Sequence, residues 1–383
     1  MKILYVCPLA HLSGHPPFEC TKETRILREH GDDVELLTFC GINGDFAVHV
    51  PQQVVFKNNS VFRAFRRYLF IQWVMRAFEY LSTIVKAEIV AGDRPIYLRD
   101  AEPFPHLIHI TNFFARKKWV VSCTGGLYTT GSQMSWVYKI LINFTGVNMK
   151  WWYKLGKNKI QYVAQNALIR RVLVDNFGDN VSVVPLGHRL EKVVEKTEAR
   201  RRLSIPQDKI VLLSLGTNHT GKDIETLLSA VSTIPNVFLI CAGPSVQIIG
   251  DNAASLVRKY QAKKVLIIDR QIGNTEKSLL FGASDWTMLS YHKNFTSTTS
   301  MLWESCAYLV PVIASSGNEL ESLVKYWGVG LTFEAENRND LIRAIELARS
   351  AKDTSPYMVE NCKEFIKAHS EDKWCQQTKA LLR

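Results

Sequence analysis

Runs of apolar, β-favouring residues alternate with helix-like segments along this 383-residue chain, and that alternation restricts its fold more than any single motif does. Lys2–Pro8, Val34–Phe39, Pro95–Leu98 and Trp119–Cys123 read as strands, separated by helical patterns near Phe18–His30, from Val61, and near Pro105–Ala115. Strand, helix, strand is the βαβ unit, which builds a mainly parallel sheet covered by helices. The series restarts after Val181–His188: charged Glu191–Arg202 is followed by strand Ile210–Leu215, a helix from Asp223, and strands Val237–Ala242 and Val265–Asp269. The length exceeds what one core supports, so the restart predicts two Rossmann-like, doubly wound α/β domains with a linker near Gly187–Lys196. The expected boundaries are 1–188 and 189–365, with a last helix over 366–383. Ligands of open α/β sheets bind beyond the carboxyl ends of the strands, so two such domains facing each other are expected to share a central cleft.

A hydrophobic content of 46% is that of a globular protein and argues against disorder. The opening MKILYVCPLA is apolar for too few residues to be a signal peptide and is expected to be a first strand, and no run of about 18 apolar residues predicts a spanning helix. Eight cysteines, from Cys7 to Cys375, include no C-x-x-C pair, which argues against a zinc cluster or a disulfide framework and fits a reducing cytoplasm. Sequons at Asn58, Asn143, Asn180, Asn218 and Asn294 are discounted as glycosylation sites, since so short a motif arises often by chance.

Charge is unevenly placed. Pro103–Val174 contains no Asp or Glu, while Arg116, Lys117, Lys118, Lys139, Lys150, Lys154, Lys157, Lys159, Arg170 and Arg171 nearly account for the formal +11. Trp119, Trp136, Trp151, Trp152 and Tyr153 are interleaved with these cations, a composition suited to anionic lipid headgroups or a phosphorylated lipid acceptor. Residues 61–81 repeat the theme, either as a helix lying on a membrane or as one with core aromatics and solvated arginines. No recognition helix, RRM, KH or zinc-finger signature accompanies the basic surface, so nucleic acid is not an expected partner.

The chemistry concentrates in Thr296–Gly317, TSTTSMLWESCAYLVPVIASSG. Thr296, Ser297, Thr298, Thr299 and Ser300 can present hydroxyl and backbone donors where a helix begins, a place suited to a diphosphate. Glu304, one turn on, can reach the ribose hydroxyls of a nucleotide lying across that helix start.

With these segments in place, the chain resembles GT-B fold glycosyltransferases, most closely the retaining, nucleotide-sugar-dependent family four. LLSLGTNHTGKDIETLLSA is similar to the family's strand, glycine and helix-opening lysine, here Gly216 and Lys222. The resemblance implies that Lys222 neutralises the donor diphosphate and that Glu304, in WESCAYLVPVIAS, binds the ribose. VFLICAGPS, with Gly243, and VLIIDRQIGNTEKSLLFGASDWTMLS resemble the following strands and the loop holding the base, which makes Arg270 and Ile272 the nearest candidates for base contacts. CPLAHLSGHPPFECTKETRILREHGDDVELLTF resembles the family's opening strand and donor loop, where Ser13 and Gly14 would approach the phosphates and His11 and His15 stand beside them. The final helix, through Trp374, would cross back to the first domain.

Three threonines depart from the family pattern. Thr217 stands where members commonly carry arginine, Thr296 replaces a glutamate near the donor sugar, and Thr124, before Gly125, replaces a histidine. The lost arginine removes a charge-assisted contact, for which His219 can compensate. Asp100 or Glu102, after a first-domain strand, and His106 are candidates to face the acceptor, alongside His15, Thr124 and Gly125. The resemblance implies transfer with retention by attack and departure on one sugar face, with Lys222, Glu304, Asp100 and His106 as the catalytic candidates. It implies no metal and no cofactor beyond the nucleotide sugar, since no D-x-D-like pair stands in the expected donor site. The acceptor would be lipid-linked, glycolipid or polysaccharide, and the enzyme cytoplasmic and peripheral to the inner face of the membrane. The alternative is a partner subunit that keeps the fold and has lost transfer, which the three threonines together would explain.

Overall fold

The computed structural model describes residues 1–10, 15–42, 50–56, 69–99, 107–108, 118–123, 160–178, 180–217, 221–244, 255, 264–293, 295, 299–317, 319–351 and 355–383. They divide into two compact units, Met1–Gly187 together with Glu371–Arg383, and His188–Ser370.

The first unit is a parallel sheet in the order β3-β2-β1-β4-β5-β6-β7. Its strands are β1 Lys2–Cys7, β2 Asp33–Thr38, β3 Gln52–Val54, β4 Ile96–Leu98, β5 Trp119–Cys123, β6 Ile160–Ala164 and β7 Val181–Val183. After Lys2, every residue of β1 is buried, as befits a central strand with helices on both faces. Helices α1 His15–Glu29, α2 Leu69–Val90 and α3 Ala167–Phe177 belong to this unit. Asn166 starts α3 by accepting from the Ile169 amide at 2.7 Å. On α2, Tyr80, Ile84 and Ala87 enter the core formed with Leu4, Val6, Leu98 and Trp119.

Trp119 corrects one expectation. Counted above among aromatics on a basic surface, it is fully buried, and its Nε1 donates to Glu88 Oε1 at 2.6 Å. Its neighbours Lys117 and Lys118 drew it into a charge pattern, whereas its place as first residue of a central strand decides its burial. Strands β3 and β6 were not expected; β6 lies inside the basic stretch, where the charge pattern hid a short strand, IQYVA, whose apolar residues are interrupted by Gln161. Residues 61–81 follow neither alternative cleanly: Tyr80 is core, Phe78 is exposed, and Arg63, Arg66 and Arg67 lie outside the described residues. So does most of the Pro103–Val174 stretch.

The second unit is a parallel sheet in the order β10-β9-β8-β11-β12-β13. Its strands are β8 Ile210–Leu215, β9 Val237–Ala242, β10 Val265–Ile268, β11 Trp286–Leu289, β12 Val312–Ser315 and β13 Gly330–Phe333. Helices α4 Lys196–Arg202, α5 Ile224–Val231, α6 Asn274–Ala283, α7 Met301–Ala307, α8 Glu319–Trp327, α9 Arg338–Ser350 and α10 Ser355–Ala368 surround it. Two apolar clusters lie on its two faces, one around Leu213, Phe281, Leu302 and Phe365, the other around Leu212, Leu228, Leu239 and Ile345.

The chain re-enters the first unit with α11, Glu371–Leu382. Trp374 packs edge-on against Tyr97 at 6.4 Å between ring centres, and Gly187 leaves no room for a Cβ, which would sit 2.7 Å from Trp374 Cβ. Ion pairs Arg25–Glu371 (2.6 Å), His30–Asp372 (2.9 Å) and Lys379–Asp32 (2.9 Å) hold the helix against α1 and the turn after it. Among the described residues no helix is long and apolar enough to cross a membrane.

Candidate functional site

The second unit gathers its chemistry beyond the carboxyl ends of β8, β9 and β11. Gly216 follows β8 with φ +97° and Gly243 follows β9 with φ +134°, both in the region that favours glycine. A Cβ on Gly243 would lie 2.4 Å from Gly216 O, so the two turns nest backbone on backbone. Lys222 folds onto the first of them. Its Nζ donates to Leu215 O at 2.8 Å and Gly216 O at 3.1 Å, and the side chain is buried. Burial pushes its pKa down to about 8, because a buried ammonium gets less from two carbonyl dipoles than it had from water.

The lysine turn is tied to the loop after β11. Lys222 pairs with Tyr291, the Asp223 amide donates to Ser290 O at 3.1 Å, and the His292 amide donates to Gly221 O at 3.0 Å. Asp223 then caps α5, accepting from the Thr226 amide at 3.0 Å. Tyr291 stacks on Phe295 at 4.1 Å and its hydroxyl pairs with Thr299 Oγ1 at 2.8 Å; burial raises its pKa to about 12, so it stays a phenol. Thr299 Oγ1 also accepts from the Met301 amide at 3.3 Å, which fixes the start of α7.

Glu304 is the fourth residue of α7, all of whose residues are buried. Its Oε2 accepts from Lys277 Nζ of α6 at 2.7 Å, while Oε1 faces Ser300 Oγ at 3.5 Å. Burying a carboxylate is costly without such a partner, and one oxygen is less engaged than the other. Lys222 and the first residue of α7 meet at Gly216: a Cβ there would be 3.6 Å from both Lys222 Nζ and Met301 Sδ.

Other predicted residues are placed differently. Arg270 makes a two-pronged ion pair with Glu276, both contacts at 2.7 Å, and Ile272 is buried in the core around Leu213. Thr217 follows Gly216 half-buried. Ser300 caps α7 in helical conformation without a side-chain cap bond. Ser13, Gly14, Asp100, His106, Thr124, Gly125, His219, Thr296, Ser297 and Thr298 lie outside the described residues, and so does the side chain of His15, which opens α1. In the first unit, Arg99 follows β4 and pairs with buried Glu23, which also accepts from Tyr5 OH at 2.6 Å. Burial raises the Glu23 carboxyl to about 7, with Arg99 opposing. This cluster anchors the residue that precedes Asp100.

Lys277 and Tyr291 were missed at the level of sequence. Lys277 sits in a helix whose pattern says nothing of a partner 27 residues away; the Tyr291 and Phe295 pair, four apart in a polar loop, was the available signal for the second. Together the site offers a buried cation poised for a polyanion and a paired carboxylate with an oxygen to accept from a diol. Among the described residues no group of three or more His, Cys, Asp and Glu could hold a metal ion.

Residues 195–365 match the sequence model of glycosyl transferases group 1. No curated protein matches the chain. Among solved structures it is similar to a sucrose-phosphate synthase from Thermosynechococcus elongatus, with TM-score 0.74 and 17% identity over 100% of this chain and 98% of that one. It is also similar to WaaG, a glycosyltransferase involved in lipopolysaccharide biosynthesis, with TM-score 0.74 and 10% identity over 99% of each chain. Anabaena HepE in complex with UDP-glucose has TM-score 0.74 and 15% identity over 100% of this chain and 99% of that one. The two parallel α/β units are those of the GT-B fold.

Proposed function

We propose that this chain, a GT-B fold whose second unit carries a glycosyl transferases group 1 domain, moves a sugar from a nucleoside diphosphate to a lipid-linked, glycolipid or polysaccharide acceptor, with retention. The observation that carries the reading is Lys222: a buried ammonium held only weakly at a glycine turn, beside a helix that presents Glu304. A diphosphate laid over Gly216 gives that ammonium the charge it lacks, and Glu304 receives the ribose hydroxyls. The anomeric carbon–oxygen bond to the diphosphate breaks as the acceptor oxygen bonds to the same carbon, and a departing phosphate oxygen takes the acceptor proton. Lys222 stabilises the charge that grows on that phosphate, a contribution made more strongly in the transition state than in the ground state.

A uridine nucleotide is the first donor to test, since the similar HepE was solved with UDP-glucose. The cations of the acidic-free stretch 103–174, and its aromatics other than the buried Trp119 and Tyr162, are assigned to an anionic membrane face or a phosphorylated lipid acceptor, on the cytoplasmic side. The purified chain is titrated with UDP-, GDP-, ADP- and dTDP-sugars, reading thermal stability and release of free nucleotide, with Lys222→Ala as control. One nucleotide class is expected to stabilise the chain, by about 2.7 kcal/mol at a hundredfold excess over its dissociation constant, and Lys222→Ala to abolish the effect. No stabilisation by any donor sinks the donor site. Stabilisation with no turnover against lipid-phosphate acceptors favours the partner-subunit reading, to which Thr217, beside the diphosphate position, already points.

A further inference from the structure

Helix α2 is apolar on both faces. Its inner face enters the core through Tyr80, Ile84 and Ala87. Its outer face carries Val74, Phe78, Leu81, Val85 and Ile89, which are 41–75% exposed, and from residue 74 to its end no other residue of the helix is exposed. Phe56 extends the stripe, its ring 6.1 Å from that of Phe78. A surface helix ordinarily turns charge outward. Here the stripe exposes about 500 Å² of contiguous apolar surface, at the upper end of what a monomer leaves uncovered.

We infer that this stripe is the interface of a homodimer, in which α2 packs antiparallel against α2 of a second copy. Three features carry it. The spacings of four, three, four and four residues are those of a helix seam, in which side chains of one helix fill gaps in another. The stripe is also palindromic. Val74 and Ile89, and Phe78 and Val85, are equidistant from a centre between Leu81 and Ser82, so a twofold axis there sets an apolar side chain against an apolar one in both pairs. At that centre the Ser82 hydroxyl is already satisfied by Phe78 O at 2.7 Å, so pairing buries no orphaned donor.

The charge decides against a lipid surface. Helices that lie in a headgroup layer flank their apolar face with cations. Among the described side chains of α2, Lys86 turns aside to Val54 O at 2.9 Å, Glu79 and Glu88 are buried on the core side, and Arg76 is half-buried and falls between Val74 and Phe78 in sequence, off the face they share. Two such stripes would bury about 1,000 Å² between them, which reaches the lower bound of about 1,000 Å² for a specific interface.

The full chain is examined by sedimentation velocity across micromolar concentrations, with and without Leu81→Arg, and a short bis-maleimide is applied to Leu81→Cys. All eight native cysteines are buried, so the introduced thiol is the accessible one. The expected results are twice the chain mass for the unsubstituted protein, at least about a hundredfold weaker association for Leu81→Arg with an unchanged donor-induced thermal shift, and rapid cross-linking of Leu81→Cys. Leu347→Cys, exposed in the second unit, is the control that should not cross-link. A monomer at every concentration, or a dimer that survives Leu81→Arg, overturns the inference. So does a monomer that co-floats with phosphatidylglycerol vesicles through Leu81, which would hand the stripe to a membrane instead.

Discussion

Lys222 shows how a single residue carries both a cost and a use. Its pKa is lowered from 10.5 to about 8, so below pH 8 the native chain holds a charge its site disfavours, at a penalty of about 3 kcal/mol. That penalty is absent above the unfolded pKa and grows as pH falls toward 8. A diphosphate relieves it by binding the protonated form. Donor affinity is therefore expected to be flat below pH 8 and to fall up to tenfold per pH unit above it, which calorimetric titration from pH 6.5 to 9.5 would show. An affinity unchanged at the alkaline end would mean that Lys222 does not meet the phosphates. Lys277 makes the second prediction at this scale. Lys277→Met leaves Glu304 buried without its cation and should destabilise the second unit by about 3 kcal/mol, read as the midpoint of urea unfolding. Lys277→Arg, which restores the charge, should recover most of that loss. Gly243→Ala should be at least as damaging, since its Cβ meets Gly216 O at a positive φ.

At the scale of elements, α11 is held by a buried indole and by surface charge in unequal measure. Trp374→Ala removes packing against Tyr97 and the Gly187 backbone and is expected to cost about 3–5 kcal/mol. His30 contributes far less. Its pKa is raised by the Ile26 carbonyl first and by Asp372 beyond that, so its stabilising effect is complete below the unfolded value near 6.5 and disappears as pH rises through the raised one. The pair is partly exposed and screened, so His30→Gln should lower stability by well under about 1 kcal/mol, and only on the acid side. Thermal melts at pH 5.5 and 8.5 separate the two substitutions. Elements were also where the sequence spoke most clearly: β1, β8 and β9 are continuous apolar runs bounded by glycine or proline, and Asp223 announces α5 by its capping position. Strand β6 was illegible because five residues inside a cationic stretch give no period to read.

For the whole molecule, two units with separate cores predict separable unfolding. Calorimetry should resolve two transitions, a nucleotide donor raising only one of them and Trp374→Ala lowering only the other. A single transition shifted by both would show that the units unfold as one. The sequence by itself determined the fold class, two parallel α/β units, because that depends on local composition: β-run against helix period, and glycine where φ is positive. Tertiary structure alone decided that Trp119 is core, that Lys277 holds Glu304, that Tyr291 joins the lysine turn to the helix start, and that α2 turns apolar side chains outward. Those are contacts between residues far apart in the chain, and the energy that selects them, burial of one side chain against another, leaves no periodic trace in the sequence of either.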